Sequence, residues 1–388
     1  MTLERIVVAG GSIAAVSAAA ALRTAGWGGS LVLLSDEHVA PYSRVPLSKG
    51  VLAGTQGPES AVLPALPGDV DVRLGNAAVG LRPAAQEVLL ADGSRIAYDG
   101  LVVATGARAR RLSHPQQRGE LVVRDLGDAA AIAERLADAS SAVVVGGGFL
   151  GMEVASTLHR HGIEVTVVDM EPPLQRLLGP WLAGYVARVA EESGIGFVVS
   201  EGGVVLEGDP ISGVRLSDGR LIAADLVISA VGDIPNAEWL EDSGLTLANG
   251  LVVDERCQAA PGIVGAGDVV SREFSPGVFR RTPHWSNAVV QGRAAAATLL
   301  NPAAPAYAPD HYFWTEQHGL DIKIAGEPPL LGEPEVLDGD LDGREALLRW
   351  TKDDDTAAVV SINYRIPAAR LRAMVARAPA AAPASSSR

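Results

Sequence analysis

At its start the chain alternates between short, unbroken apolar runs and turns of small residues. Ile6-Val7-Val8-Ala9 leads into Gly10-Gly11-Ser12-Ile13-Ala14-Ala15, and an alanine-rich stretch to Leu22 has helical spacing. Gly26 to Ser30 break that helix, and Leu31-Val32-Leu33-Leu34 then ends in Ser35-Asp36-Glu37. Apolar runs without polar alternation predict strands covered on both faces, as in a parallel sheet. Strand, tight turn, helix, strand and acid in this order predict a dinucleotide-binding βαβ unit. The turn admits a phosphate to the backbone, and the free N–H groups and positive dipole end of the helix hold it. An acid at the second strand tip accepts hydrogen bonds from a ribose. Here the turn reads G-x-S-x-x-A, with Ser12 at the second glycine and Ala15 at the third. Ala15 still allows close helix–strand packing, and the Ser12 hydroxyl can donate to a phosphate. On these residues alone the turn is either a nucleotide site or an ordinary βα turn.

The pattern recurs. Ala142-Val143-Val144-Val145 enters Gly146-Gly147-Gly148-Phe149-Leu150-Gly151, a complete G-x-G-x-x-G. A helix is predicted from about Met152 to Arg160, Gly162 ends it, and a strand from Glu164 to Val168 ends in Asp169. Two such units predict an enzyme of two dinucleotides. A similar strand closes each: Tyr98 to Gly106, after a turn at Asp92-Gly93, and Ala224 to Gly232, after one at Asp218-Gly219. Gly262 to Ala266 is a further apolar strand ending in Gly267-Asp268. Gly267 permits close approach, and Asp268 suits a polyol hydroxyl. His284-Trp285-Ser286-Asn287 begins an alanine-rich helix to Leu300, whose N-terminus can face an electron-rich ring edge.

The joining segments carry charge. In Pro41 to Gly50, two prolines delay helix formation. Arg44 and Lys49 stand one strand tip from the predicted phosphate site, as ligands or as solvated loop residues. Arg108, Arg110 and Arg111 read as a solvated basic hinge. Pro302 to Pro309 is a Pro/Ala linker. Beyond it, His311-Tyr312-Phe313-Trp314 opens a segment with strand patterns at Leu320 to Ala325, Leu347 to Trp350 and Ala357 to Ile362. A basic helix from Ala368 to Arg377 closes it, and the tail 378–388 is expected to be disordered.

Composition narrows the class. The chain has 388 residues, 48% of them hydrophobic, enough for two or three domains. A net charge of −14 argues against nucleic-acid binding. No apolar run approaches the roughly 20 residues needed to span a bilayer. A strand, not a signal peptide, is predicted near the start. The single cysteine, Cys257, allows no internal disulfide and fits a reducing compartment. A cytoplasmic location is expected, with no membrane or nucleic-acid partner.

The order G-x-S-x-x-A, acid, P-Y-x-R-x-P-L-S-K, A-T-G, G-G-G-F-L-G-M-E, G-x-x-x-A-G-D, H-W-x-N-A and Y-F-W resembles the NADH-dependent, FAD-containing ferredoxin reductases. These are flavoprotein components of bacterial haem monooxygenase and aromatic dioxygenase systems, close to putidaredoxin and rubredoxin reductases. The resemblance runs from about Arg5 to Arg377. P-L-S-K and H-W-x-N-A are its specific parts; the glycine motifs are shared with many flavoprotein disulfide reductases.

The resemblance implies an α/β fold. Two Rossmann-like dinucleotide-binding domains form a glutathione-reductase-like arrangement, with a C-terminal α+β domain covering the flavin. It divides the chain into a discontinuous FAD domain (1–111 and 233–309), an NADH domain (112–232) and the C-terminal domain (310–377). FAD is implied at Gly10, Gly11, Ser12, Ile13, Ala14, Glu37, Arg44, Lys49, Ala78, Ala104, Thr105, Gly106, Arg110, Gly267, Asp268, His284 and Trp285. NADH is implied at Gly146, Gly147, Gly148, Phe149, Leu150, Gly151, Glu153, Asp169, Val231 and Gly232. Lys49 and Glu153 are implied beside the flavin ring and the nicotinamide, as the catalytic pair. Asp169, with Met170 and Glu171 offering no neighbouring cation, favours NADH over NADPH. No metal is implied.

Departures from the family pattern are Ser12, Ala15, Val45 in place of proline, Asp169 in place of glutamate, and Asn301 in place of glycine. The C-x4-C pair of related disulfide reductases is missing. Cys257, expected in a strand of the FAD domain, reads as a buried spectator. Electrons are therefore expected to leave the flavin singly, to an outside ferredoxin. Trp285, Phe313 and Trp314 are expected near the flavin edge. Arg280, Arg281, Arg365, Arg370 and Arg372 are candidate docking cations, and the chain is expected to be a monomer or weak homodimer. Reduction of a small molecule such as a quinone, and a redox-switched interaction partner, stay open as alternatives.

Overall fold

The computed structural model describes residues 3–353 and 355–375. The tail 378–388 and Arg377 lie outside the described residues. The first unit is Arg5–Ala9 (β1), Ile13–Thr24 (α1), Ser30–Leu34 (β2), Val70–Arg73 (β3) and Gly100–Val103 (β4). Next come Glu120–Leu121 (β5), Leu126–Ala133 (α2), Ser141–Val145 (β6), Phe149–Arg160 (α3), Glu164–Asp169 (β7), Pro180–Glu192 (α4), Gly196–Val199 (β8) and Leu226–Ser229 (β9). The chain returns through Gln258–Ala260 (β10), Ile263–Gly265 (β11) and Trp285–Leu300 (α5). It ends with Tyr312–Gln317 (β12), Leu320–Gly326 (β13), Glu335–Asp340 (β14), Glu345–Lys352 (β15), Asp355–Ile362 (β16) and Ala368–Ala373 (α6).

Three large sheets organise the described residues. One has the order β10-β11-β4-β1-β2-β3, parallel except for β10, so a single sheet draws strands from both ends of the chain. The second, β8-β7-β6-β9-β5, is parallel throughout. The third, β12-β13-β16-β15-β14, is antiparallel. Each parallel unit also carries a three-stranded antiparallel sheet, at residues 78–97 and 204–223, so the sequence repeat is a structural repeat. Ile6, Val7, Val8 and Ala9 are fully buried, as a strand covered on both faces requires.

The alanine content has a packing reason. α1 lies against α5 so closely that a Cβ on Gly292 would stand 2.5 Å from the Ala14 carbonyl oxygen. Small side chains at Ala14, Ala18, Ala288, Ala295 and Ala296 fill that interface. The third sheet packs on the second unit: Trp350 meets Trp181 edge-on at 5.9 Å, and Leu330 N–H donates to the Leu178 carbonyl at 3.1 Å.

The structure departs from the sequence pattern in several places. α3 begins at Phe149 rather than near Met152, because Gly148 caps it in an extended conformation. Phe149 and Leu150 therefore stand on the first helical turn. The basic hinge is a two-stranded antiparallel ribbon, Ala107–Ala109 against Asp233–Pro235, and Arg108 is ion-paired with Glu238 at 2.5 Å. Cys257 is fully buried, but in a turn with φ 63° before β10, not in a strand. α6 stops at Ala373. No helix among the described residues is long and apolar enough to cross a membrane.

Candidate functional site: a cleft joining two nucleotide units

A cleft of about 840 Å³ opens at the carboxyl ends of β1, β2 and β4, the edge at which open α/β sheets bind ligands. Gly10, Gly11, Ser12, Ile13 and Ala14 form its floor. Gly10 has φ 139°, and a Cβ there would collide with the Ala104 carbonyl; one on Gly11 would collide with the Ser35 side chain. Both glycines are thus required by the fold of the turn. Ser12 is the N-cap of α1 yet makes no side-chain cap. Its hydroxyl donates to the Tyr42 carbonyl at 2.9 Å, so the expected bond to a phosphate is replaced by one that pins the 41–50 loop.

At the acid end Glu37 is already engaged. Arg44 reaches its Oε1 at 2.7 Å, and the Tyr42 hydroxyl donates to Oε2 at 2.5 Å. Burial lifts the Tyr42 phenol well above its ordinary range, Glu37 adds to this, and Arg44 opposes it. Arg44 also donates to the Arg124 carbonyl at 2.8 Å, which ties the 41–50 loop to the start of the second unit. Ala78 lines this end.

Ala104, Thr105, Gly106, Gly267 and Asp268 form the middle. Thr105 Oγ1 donates to the Asn236 carbonyl at 2.7 Å, and Asn236 Nδ2 donates to the Thr105 carbonyl at 3.0 Å, locking the crossover between units. Asp268 pairs with Arg124 at 3.0 Å. Arg124, Asn236 and Trp239 line the cleft without having been singled out from the sequence. For Arg124 the available signal was the acid pair Asp125/Asp128, whose capping box at the start of α2 also accepts from the Arg124 N–H at 2.9 Å. Asn236 follows the small-residue turn at Gly232 closely enough to have been weighed. Arg110 is a correction: it lies exposed beyond the ribbon strand ending at Ala109, with its guanidinium 3.5 Å from the Asp233 carbonyl, and does not line the cleft.

The third region joins all three sheets. Lys49 lies 2.8 Å from Glu153, with side chains only 14% and 7% exposed. Glu153 also accepts from Ser48 Oγ at 2.6 Å and Thr315 Oγ1 at 2.7 Å. Aromatic rings close around the pair. His284 stacks on Phe313 at 4.7 Å, Phe149 meets Phe313 at 5.1 Å, and Trp285 meets Trp314 edge-on at 6.1 Å. Burial lowers the His284 pKa to about 4, so its imidazole is neutral near pH 7. Trp285, 38% exposed, stands at the mouth.

Gly146, Gly147, Gly148, Gly151, Asp169, Val231 and Gly232 do not line this cleft; they belong to the second turn. A Cβ on Gly146 would collide with the Ala230 carbonyl, and one on Gly151 with the Gly146 carbonyl. Asp169 closes the turn by accepting from the Gly147 N–H at 2.6 Å. Phe149, Leu150 and Glu153, on the same helix, do reach the first cleft. The second turn and the first cleft therefore share one helix terminus.

Two glycine-built turns on parallel sheets, meeting at a buried Lys–Glu pair, define a two-dinucleotide oxidoreductase. Residues 4–292 match the family model of the pyridine nucleotide-disulphide oxidoreductases, and the chain belongs to that family. Rhodocoxin reductase of Rhodococcus erythropolis is 35% identical over 83% of this chain and 78% of its own length. The ferredoxin–NAD(+) reductase component of the 3-phenylpropionate/cinnamic acid dioxygenase of Photorhabdus laumondii is 30% identical over 97% of both chains. Among solved structures, the covalent putidaredoxin reductase–putidaredoxin complex superposes with a TM-score of 0.84 at 29% identity, covering 96% of this chain and 92% of that one.

The family's flavoproteins use FAD and NADH, and this chain is an NADH-dependent flavoprotein oxidoreductase. The first cleft fits FAD: it runs from the glycine turn to the Lys49–Glu153 pair, and Arg124 Nε and Trp239 Nε1 of its lining residues are buried without a partner among the described residues.

Proposed function

We propose that the protein passes a hydride from NADH to FAD and then single electrons to a ferredoxin that serves an oxygenase. The observation that carries this reading is the buried Lys49–Glu153 pair, set where α3 of the second unit meets the first cleft. When bound, FAD supplies the chemistry that accepts two electrons as hydride and releases them one at a time. The residues supply the setting. Gly10, Gly11 and the α1 N-terminus cradle a pyrophosphate, while Asp268 and Arg124 present a paired acid and cation to a polyol chain. Gly146, Gly148, Gly151 and Asp169 hold the nicotinamide dinucleotide. Lys49 is a fixed cation beside the ring site, where it stabilises negative charge. Glu153 holds its ammonium in place. Phe149, Phe313 and the neutral His284 exclude water.

Cys257 is buried away from the cleft, and the chain holds no second cysteine to form a redox pair. That supports direct electron transfer to an outside protein through the aromatic mouth at Trp285. We further assign residues 1–111 and 233–309 to FAD, 112–232 to NADH and 310–377 to the covering domain. Ferredoxin-dependent cytochrome c reduction with NADH tests the reading. Turnover that rises with ferredoxin is the expected result. Brisk quinone reduction with no response to any ferredoxin from the same source would replace it with the small-molecule alternative.

A further inference from the structure

Arg176 is the one cation in the segment from Met170 to Leu178, which runs from the acid tip of β7 across the second glycine turn. Leu174 N–H donates to the Gly147 carbonyl at 2.8 Å. A Cβ on Gly147 would lie 3.0 Å from Pro173 Cα, and one on Gly148 would lie 3.7 Å from Leu177 Cδ1. The segment therefore sits directly on the turn, with Arg176 in the short helix Gln175–Leu178. The Asp169 carboxylate is held in place by the backbone: Oδ2 accepts from Gly147 N–H and Oδ1 from Met170 N–H, each at 2.6 Å. Arg176 Nη1 lies 3.3 Å from Glu171 Oε1, with side chains 69% and 35% exposed.

An acid at the strand tip recognises a free ribose 2′-hydroxyl, whereas a nearby arginine accommodates a 2′-phosphate. This unit holds both groups, and the arginine is paired with Glu171. We propose that the Glu171–Arg176 ion pair is a specificity device: Glu171 occupies the one cation of the segment that covers the second turn and so reinforces the rejection of NADPH begun by Asp169. The inference rests on the second turn being the NADH site. It assigns the choice of nucleotide to three side chains rather than one, because specificity is a difference of affinities in which a removed attraction counts as much as an added repulsion.

The test uses the FAD-loaded full chain and the variants Glu171→Gln, Arg176→Ala and the double variant. Calorimetric binding of ADP-ribose and 2′-phospho-ADP-ribose gives a readout independent of turnover. The NADPH/NADH ratio of kcat/KM with ferricyanide as acceptor gives the second. Glu171→Gln should raise relative affinity for the 2′-phosphorylated ligand on the order of tenfold, the size of one exposed charge-assisted contact. The gain should shrink with added salt. The double variant should lose it. An unchanged ligand ratio in Glu171→Gln overturns the proposal, as does a gain that survives Arg176→Ala. If the unsubstituted protein binds neither ligand, the nucleotide assignment of the second turn fails instead, a result distinct from both.

Discussion

Lys49→Met, Glu153→Gln and their combination form a cycle that reports how far the pair acts as a unit. At 2.8 Å and an effective dielectric near 20, the gross attraction is about 6 kcal/mol. Desolvating two charges offsets most of it, and truncating one partner of a buried pair leaves the other uncompensated, at about 3–5 kcal/mol. Ser48 and Thr315 still donate to Glu153 after Lys49 is removed, which reduces the exposed deficit. A coupling of about 2 kcal/mol, close to 30-fold in rate, is therefore expected. Anaerobic stopped-flow measures it as the rate at which NADH bleaches the flavin absorbance. Lys49→Met alone should slow this step at least 30-fold, and adding Glu153→Gln should cost far less than Glu153→Gln costs by itself. If the two single effects add on a logarithmic scale, the residues act independently and the buried pair is structural only.

The two glycine turns should separate by cofactor: Gly10→Ala should yield protein depleted of FAD, while Gly151→Ala should keep its yellow colour and lose NADH-driven reduction, as read by flavin content and bleaching. Acid should destabilise the fold as pH falls from about 6.5 to 4, because burial holds His284 and His318 near pKa 4 while the unfolded chain binds their protons at about 6.5. His318→Asn, chosen for the φ of 50° at this position, should flatten that slope by up to about 3 kcal/mol in denaturant titrations; an unchanged slope would acquit the residue. Arg365→Glu with Arg370→Glu should slow ferredoxin reduction, more so at low salt, and leave NADH-to-ferricyanide activity intact.

That last pair replaces part of a docking face drawn from the sequence. Arg281 lies 2.5 Å from Asp233 with only 12% of its side chain exposed, so it holds the ribbon between units. Arg372 pairs with Asp310 and covers Tyr312, and Arg280 covers Phe274. Arg365 and Arg370 have no ion pair among the described residues. Charge composition listed these arginines; only folding decides which are already neutralised. The βαβ units were legible for the opposite reason. Their signal is local, with apolar runs, glycines and an acid at fixed offsets, and Gly10, Gly146 and Gly151 are each demanded by a carbonyl that a Cβ would strike. Arg124 was not legible because its partner Asp268 is 144 positions distant. The bond from the Ser12 hydroxyl to the Tyr42 carbonyl was not legible either, because that carbonyl belongs to a loop whose path no local pattern fixes. Arg110 was misassigned because three arginines in four residues look equivalent until the ribbon ends at Ala109.

The Glu153 carboxylate places a further constraint on how the units can move. It is nearly enclosed, stands on a helix of the second unit, and draws its donors from two other places: Lys49 and Ser48 on the 41–50 loop, and Thr315 on the third sheet. Thr157 Oγ1 on the same helix donates to the Ser48 carbonyl at 3.0 Å, and the His318 N–H donates to Ser156 Oγ at 2.8 Å. Sliding any one sheet away would leave a buried charge short of a partner, which costs several kcal/mol. The rigid junction keeps the ring site fixed between turnovers, as a hydride transfer that depends on the alignment of two rings requires.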